Sequence, residues 1–332
     1  MSRVLLVSPA FHGYWRSIAA ALEQCGHQVE AHRYDELAGG GAKVYNKVRY
    51  ELGERLALGG AAAQARDFSA RAAQAVTRAD PEAVVVVKGD VLGDDFLESL
   101  GARPRVLWLY DELRRTRWTI ERLRAFGPIA SYSPQDVADL DEAGIAATHL
   151  PLAYDPAVPF TPRVTPEAVF VGARYPNRER LLVGVQLLGA PVRAYGKTWS
   201  NHPFDRLRTW RLTGASLPVG REVSLADAYG LMAGAPAALN IHGDQDGFTM
   251  RTFEAGGVGA VQLIDRADVD RHYDPDSEVA CFDGADDLAE LIQRARTDRR
   301  WADGLRARSR KRTLAEHTFV HRTRVLEALW RA

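Results

Sequence analysis

Short apolar runs alternate with longer stretches of helical spacing along the whole chain. In the first half, Val4–Ser8, Val29–His32, Ala83–Lys88, Val106–Tyr110 and Ile129–Ser131 predict strands. Between them, Trp15–Gln24, Tyr45–Leu58, Ala62–Arg78, Asp94–Leu100, Thr116–Ala125 and Pro134–Ala143 predict helices. The strand segments are continuous apolar runs rather than alternating ones, as a parallel sheet covered on both faces requires. Strands and helices in strict alternation predict a doubly wound α/β domain.

The segment His149–Pro166 breaks the rhythm with Pro151, Pro156, Pro159, Pro162 and Pro166, a linker composition. The rhythm then restarts. Strands are expected at Ala168–Val171, Val192–Tyr195, Ala237–Ile241, Ala260–Leu263 and Val279–Phe282, and helices at Asn177–Leu188, Leu225–Gly234, Thr249–Gly256 and Ala285–Thr297. The charged stretch Arg299–Trp330 also reads as helical. Two Rossmann-like, doubly wound α/β domains facing a central cleft make the GT-B architecture. The expected boundaries are 1–155, 156–317, and a final helix over 318–332 crossing back to the first domain.

Composition narrows the function classes. The 332 residues are 46% hydrophobic and 26% charged, enough apolar surface for two cores. Lys+Arg and Asp+Glu balance at 43 each, which gives no electrostatic reason to expect nucleic acid or an anionic membrane as partner. The cysteines, Cys25 and Cys281, have neither disulfide-framework nor zinc spacing. The N-terminal apolar run reads as a first buried strand rather than a signal peptide, and no run approaches the ~20 apolar residues of a membrane helix. A cytoplasmic protein with no integral membrane segment is expected.

The most informative stretch runs from Leu239 to Gly259. A strand ends near His242, a polar loop containing Gly243 and Gly247 follows, and a helix begins near Thr249 after Phe248. A helix N-terminus offers unpaired N–H groups and the positive end of its dipole, so this loop suits an anion such as a diphosphate. Arg251 in the first turn beside Met250 opposes the dipole unless an anion binds there. Glu254, a turn further on, is placed to accept hydrogen bonds from ribose hydroxyls.

These residues carry a family resemblance. Leu239-Asn240-Ile241-His242, the acidic loop, Met250-Arg251-Thr252-Phe253-Glu254-Ala255 and Gly259-Ala260-Val261-Gln262-Leu263 resemble the CgeB family of spore-maturation-type glycosyltransferases. Val169-Phe170-Val171-Gly172 with Asn177-Arg178-Glu179-Arg180, Tyr195-Gly196-Lys197-Thr198-Trp199, Pro151–Pro156, and His317-Thr318-Phe319 with Arg322 are similar to other parts of that family. The match is strong over Phe170–Arg322 and looser before it. The resemblance implies a GT-B enzyme whose donor site carries two acidic residues with seven between them, here Asp246 and Glu254. Glu254 would hold the ribose and Asp246 would lie near the donor sugar, although the family's usual first residue is Glu. Gly172, Arg174, Arg178 and Lys197 would sit in loops facing the ligand.

Bland readings stand beside these. Glu254 also reads as an exposed helix residue, Asp246 as a helix cap, and Arg174 and Lys197 as surface charges. Arg178 also reads as the partner of Glu179 or of a helical neighbour, and His242 as either a donor contact or a satisfied buried histidine. Asp244-Gln245-Asp246 formally matches a metal motif of another glycosyltransferase fold, but in the wrong topology, so no metal site is expected. In the first half, His12 follows the first strand, and Asp111 ends another and reads either as a general base or as a cap before Leu113. Lys88-Gly89-Asp90 ends a third strand and suits an acceptor site.

The expected activity is glycosyl transfer from a nucleoside-diphosphate sugar, a UDP-sugar by preference, to the hydroxyl of a small-molecule or glycan acceptor. The sugar nucleotide is a co-substrate, and no cofactor is expected. The resemblance implies retention at the anomeric carbon. A GT-B sugar-nucleotide epimerase and a non-catalytic nucleotide-sugar binding protein are the alternatives.

Overall fold

The computed structural model describes residues 1–36, 60–210 and 213–332. The helix expected at Tyr45–Leu58 lies outside them. The chain divides into two compact units, Met1–Pro151 with Phe319–Ala332, and Leu152–Thr318.

Unit 1 is built on six parallel strands: β1 (Arg3–Ser8), β2 (Gln28–Arg33), β3 (Ala83–Val87), β4 (Arg105–Leu109), β5 (Ile129–Ser131) and β6 (Ala147–His149), in the order β2-β1-β3-β4-β5-β6. All five residues of β3 are buried, as a central strand covered on both faces demands. The helices are α1 (Tyr14–Gln24), α2 (Gly60–Ala79), α3 (Asp94–Leu100), α4 (Ile120–Phe126) and α5 (Pro134–Glu142). In α1 the buried positions Tyr14, Ser17, Ile18, Ala21 and Leu22 follow the spacing of one helical face. β6 is not among the expected strands and ends at His149, where the proline-marked segment begins; three residues at a sheet edge leave too short a pattern to register.

Unit 2 repeats the plan with β7 (Ala168–Val171), β8 (Val192–Tyr195), β9 (Val219–Gly220), β10 (Ala238–Asn240), β11 (Gln262–Ile264) and β12 (Ala280–Cys281), all parallel, in the order β12-β11-β10-β7-β8-β9. Its helices are α6 (Pro176–Leu187), α7 (Pro203–Thr209), α8 (Leu225–Gly234), α9 (Met250–Val258), α10 (Ala285–Thr297) and α11 (Arg299–Glu316). Its core gathers Phe170, Leu182, Val192, Trp199, Leu263 and Ile292.

The charged C-terminal stretch is two helices. α11 ends at Glu316, and α12 (Phe319–Arg331) begins after a break at His317 and Thr318. The break is fixed inside unit 2: the Tyr154 N–H donates to the His317 carbonyl at 2.9 Å, and the His317 ring packs against Phe253, Tyr273 and His272. α12 belongs to unit 1, where Phe319 meets Trp108 and Tyr14, His27 faces Glu327 at 3.2 Å, and Arg322 donates to the Pro151 carbonyl at 2.7 Å. Among the described residues no helix is long and apolar enough to cross a membrane.

Candidate functional site

In each sheet the strand order reverses direction once, between β1 and β3 in unit 1 and between β7 and β10 in unit 2. The loops leaving such a pair diverge to opposite faces and open a crevice at the carboxyl ends of the strands.

In unit 2 that point gathers several of the sequence-derived candidates. β10 runs out through Ile241 to His242, a buried residue whose backbone N–H and Nδ1 both bond to the Asp265 carboxylate at 2.8 Å. Its ring also stands edge-on to Phe248, centroids 5.4 Å apart. Arg178, near the start of α6, is 7% exposed; its Nε donates to the Ile241 carbonyl at 2.8 Å and its guanidinium lies over the Tyr175 ring at 4.8 Å. Gly172 leaves β7 against Gly196: a Cβ on Gly196 would overlap the Gly172 carbonyl oxygen, so the two loops approach as closely as glycine permits. Lys197 follows and is half-buried.

The loop from Gly243 to Thr249 is fastened from below. Arg266, just beyond β11, donates to the carbonyls of Gln245 (3.0 Å), Asp246 (2.6 Å) and Gly247 (3.4 Å), and lies 4.1 Å over the Phe248 ring. Burial pushes its guanidinium pKa down, but its pair with Asp268, with Asp246 and Asp265 nearby, outweighs burial and leaves it above the ordinary value. Thr249 is the N-cap residue of α9 and makes no side-chain cap bond. Asn240 Nδ2 donates to Thr252 Oγ1 at 2.7 Å, pinning the first turn of α9 to β10.

Within α9, Arg251 is ion-paired with Glu254 three residues on, with the Glu254 side chain fully buried and that of Arg251 26% exposed. Glu254 is therefore not the exposed helix residue of the bland reading. Two glycines let the helix settle. A Cβ at Gly256 would meet Thr313 Oγ1 at 2.5 Å and the Tyr273 hydroxyl at 2.8 Å, and one at Gly257 would enter the Tyr154 ring.

Other bland readings also change. Arg174 is not a surface charge: it is 7% exposed, bonds both oxygens of Glu179 at 2.8 and 2.6 Å, and donates to the carbonyls of Thr213 and Gly214 at 3.1 Å. Glu179 thus pairs with Arg174. Among the described residues no group of three His, Cys, Asp or Glu is placed to hold a metal ion.

In unit 1, Asp111 does not cap the turn at Leu113. Asp136 does, both its oxygens accepting from the Leu113 N–H at 3.2 Å, while Asp111 Oδ2 accepts from Lys88 Nζ at 3.0 Å. His12 lies in the 3-10 turn Phe11–Gly13 before α1, and its side chain falls outside the described residues. Lys88, Asp90 and Asp111 share the wall of a cavity of about 570 Å³.

Sequence reasoning missed Arg266 and Asp265. Both follow the strand end Leu263-Ile264, and the rule that loops at carboxyl ends of parallel strands face the crevice would have found them.

These two sheets, each wound about its own switch point, match known structures over the full chain. An Anabaena protein, Alr3699/HepE, in complex with UDP-glucose is 12% identical, with 100% of each chain covered and a TM-score of 0.64. Sucrose-phosphate synthase from Thermosynechococcus elongatus is 14% identical, covering 100% of this chain and 98% of its own, with a TM-score of 0.64. The fold is GT-B. AviGT4, a glycosyltransferase involved in avilamycin A biosynthesis, shares it at 14% identity, covering 100% of this chain and 97% of its own, TM-score 0.62. A family described as glycosyl transferase-like matches residues 178–328 of this GT-B chain. No curated protein matches it in sequence.

Proposed function

We propose that the chain is a glycosyltransferase that moves a sugar from a nucleoside-diphosphate sugar, a UDP-sugar by preference, to an acceptor hydroxyl. The observation that carries the reading is the Arg251–Glu254 pair at the start of α9, beside the switch point of unit 2. A cation in the first turn of a helix is unfavourable beside the positive dipole end and becomes favourable when an anion binds there. Two further facts support it: the match of residues 178–328 to a glycosyl transferase-like family, and the complexes of the similar Anabaena protein with UDP-glucose and with UDP.

In this reading the diphosphate docks on the backbone N–H groups around Thr249 and Met250 and draws the Arg251 guanidinium toward it. Glu254, uncovered by that shift, accepts from the ribose hydroxyls. Arg178 and Lys197 add positive charge, and His242 and Asp246 lie toward the sugar. The bond from the anomeric carbon to the β-phosphate oxygen breaks, and its electron pair leaves with the diphosphate. The acceptor oxygen bonds to the same carbon and gives up its proton. Stabilising the charge on the leaving diphosphate is the main electrostatic task, performed by the helix terminus and Arg251. Reaction without a metal and with retention is part of the proposal. Unit 1 takes the acceptor, with Asp111 and His12 as the residues that receive the proton or orient the hydroxyl.

Calorimetry with UDP, GDP, dTDP, ADP and CMP, repeated on Glu254→Ala, tests the reading. One nucleoside diphosphate binding saturably to the wild type, and at least tenfold more weakly to the variant, supports it. Absence of binding by every nucleotide overturns it. Release of free UDP from a UDP-sugar only when acceptor is added separates a transferase from an epimerase and from a binding protein.

A further inference from the structure

Positive and negative charges cancel over the whole chain but not along α11. Its 18 residues, Arg299–Glu316, hold seven Arg or Lys against Asp303 and Glu316. The helix sorts them by face. Ala302, Leu305, Ser309 and Thr313 are buried and mark the inner stripe, with α11 packed on α9 and α10. Beside that stripe the cations are consumed by the fold. Arg312 pairs with Glu278 at 3.2 Å and with Glu316 at 2.8 Å. Arg306 turns inward and donates to the carbonyls of Ala233 (3.1 Å), Gly259 (3.0 Å) and Ala235 (2.6 Å).

The outward face differs. Arg299, Arg300, Arg310 and Lys311 are all exposed, and the helical turn places them within about a third of the circumference. Arg310 Nη1 donates to the Gly257 carbonyl at 2.8 Å, a neutral acceptor that leaves the charge uncompensated. Among the described residues no carboxylate lies within ion-pairing distance of Arg299, Arg300 or Lys311. Asp303 shares the face, so four cations stand with one anion. Ala307 lies between the two basic pairs and Leu314, 39% exposed, about one turn beyond the second. The pairs are about 16 Å apart along the axis. Arg299 and Arg300 also occupy the first turn, where the helix dipole disfavours a cation and an anion facing them reverses the penalty.

We propose that this face of α11 docks the protein peripherally on an anionic lipid surface, its four cations against headgroup phosphates and Ala307 and Leu314 toward the acyl boundary. A planar array of phosphates meets both basic pairs at once. Arg and Lys stems pass over the apolar positions while their heads stay at the phosphates. A nucleic acid fits less well. α11 is seated on α9 and α10, so it offers a one-sided face rather than a protruding helix that could enter a groove, and neither Ala307 nor Leu314 gives a ring on which a base could stack. The contact is electrostatic, so added salt weakens it.

The experiment is co-sedimentation of the full chain with vesicles of phosphatidylcholine alone and of equimolar phosphatidylcholine and phosphatidylglycerol, at low and high salt. It is run on wild type, Lys311→Glu, Arg300→Glu/Lys311→Glu, and Arg180→Glu, a reversal at an exposed position of α6. Thermal unfolding of each protein checks that it is folded. The expected result is binding to the anionic vesicles alone, lost at high salt, weakened at least tenfold by the double reversal and unchanged within twofold by Arg180→Glu. Lys311→Glu, expected to weaken binding at least threefold, keeps the test intact should the double variant fail to fold. Absence of binding to anionic vesicles, or reversals on α11 that bind as wild type does, overturns the proposal. So does an equal loss in Arg180→Glu, which would make the effect one of net charge. Double-stranded DNA that displaces the vesicles and binds more tightly, with the same sensitivity to the α11 reversals, also overturns it and assigns the face to nucleic acid.

Discussion

The guanidinium of Arg251 covers the buried carboxylate of Glu254 one turn along α9, in an ion pair whose acidic member has no exposed side-chain surface. Taking away the cation leaves a buried charge, which costs more than the pair itself contributes. Arg251→Ala is therefore expected to destabilise the protein by about 2 kcal/mol. The double variant Arg251→Ala/Glu254→Gln is expected to recover at least half of that loss, since the buried carboxylate charge is then gone. Urea unfolding of the wild type, the two single variants and the double variant measures the coupling. Additive losses would mean that the pair does not interact.

The central strands of both sheets were legible because they are buried on both faces and so stand out as unbroken apolar runs. Ala83–Val87 and Ala168–Val171 show this well. β9, Val219–Gly220, and α7, Pro203–Thr209, were not legible. Two residues cannot establish a period. The short helix alternates charge with apolar residues and is held by Asp205, which bonds Ser200 and Arg221 and is kept down at about 2 by Arg221 and Ser200. At the site, Arg251 and Glu254 could be picked out because a helix start after a glycine-containing loop implies where they stand. That they bond each other, that Arg174 belongs to Glu179, and that Asp136 rather than Asp111 caps Leu113 are consequences of tertiary packing. A one-dimensional spacing does not contain them.

Gly257 makes close packing of α9 against Tyr154 possible, since a Cβ there would clash with the aromatic ring at 2.3 Å. Ordinarily alanine improves a helix interior by up to about 1 kcal/mol over glycine. Here overpacking outweighs that gain, and Gly257→Ala is expected to cost about 1–3 kcal/mol net. A fall in thermal midpoint, with nucleotide affinity weakened because α9 shifts, is the expected outcome. A rise in midpoint would show that Tyr154 moves aside freely.

Asp136 supplies a pH dependence of known sign. Burial raises its pKa to about 6, against the opposing bonds from Ser131 and the Leu113 N–H, with Glu112 adding to the rise. The folded protein thus holds this proton more tightly than the unfolded chain, where an aspartate titrates near ~4. The stabilisation is complete below about pH 4 and is lost as pH rises through about 6. Relative to Asp136→Asn, which cannot titrate, the wild type is expected to lose stability between pH 4 and 6 and to run parallel above. Denaturant midpoints at half-unit pH intervals give the comparison, and a constant difference across that window would contradict the shift.

Arg266 tests whether the loop before α9 must be preorganised. It touches no part of the proposed diphosphate position, yet its guanidinium gathers the carbonyls of Gln245, Asp246 and Gly247 and lies against Phe248. Without it those carbonyls lose their donor, and the loop samples conformations in which the N–H groups around Thr249 no longer converge. Ordering the loop then falls on the ligand, which lowers affinity without altering the chemistry that follows. Arg266→Ala is expected to raise the nucleotide Kd and the donor KM about tenfold, equivalent to about 1.4 kcal/mol, with kcat changed much less. Arg266→Lys keeps the charge but reaches fewer carbonyls, and restores only part of the affinity. Equal loss in kcat and in kcat/KM would instead place Arg266 against the transition state, and an unchanged KM would mean that the loop holds its shape without this residue.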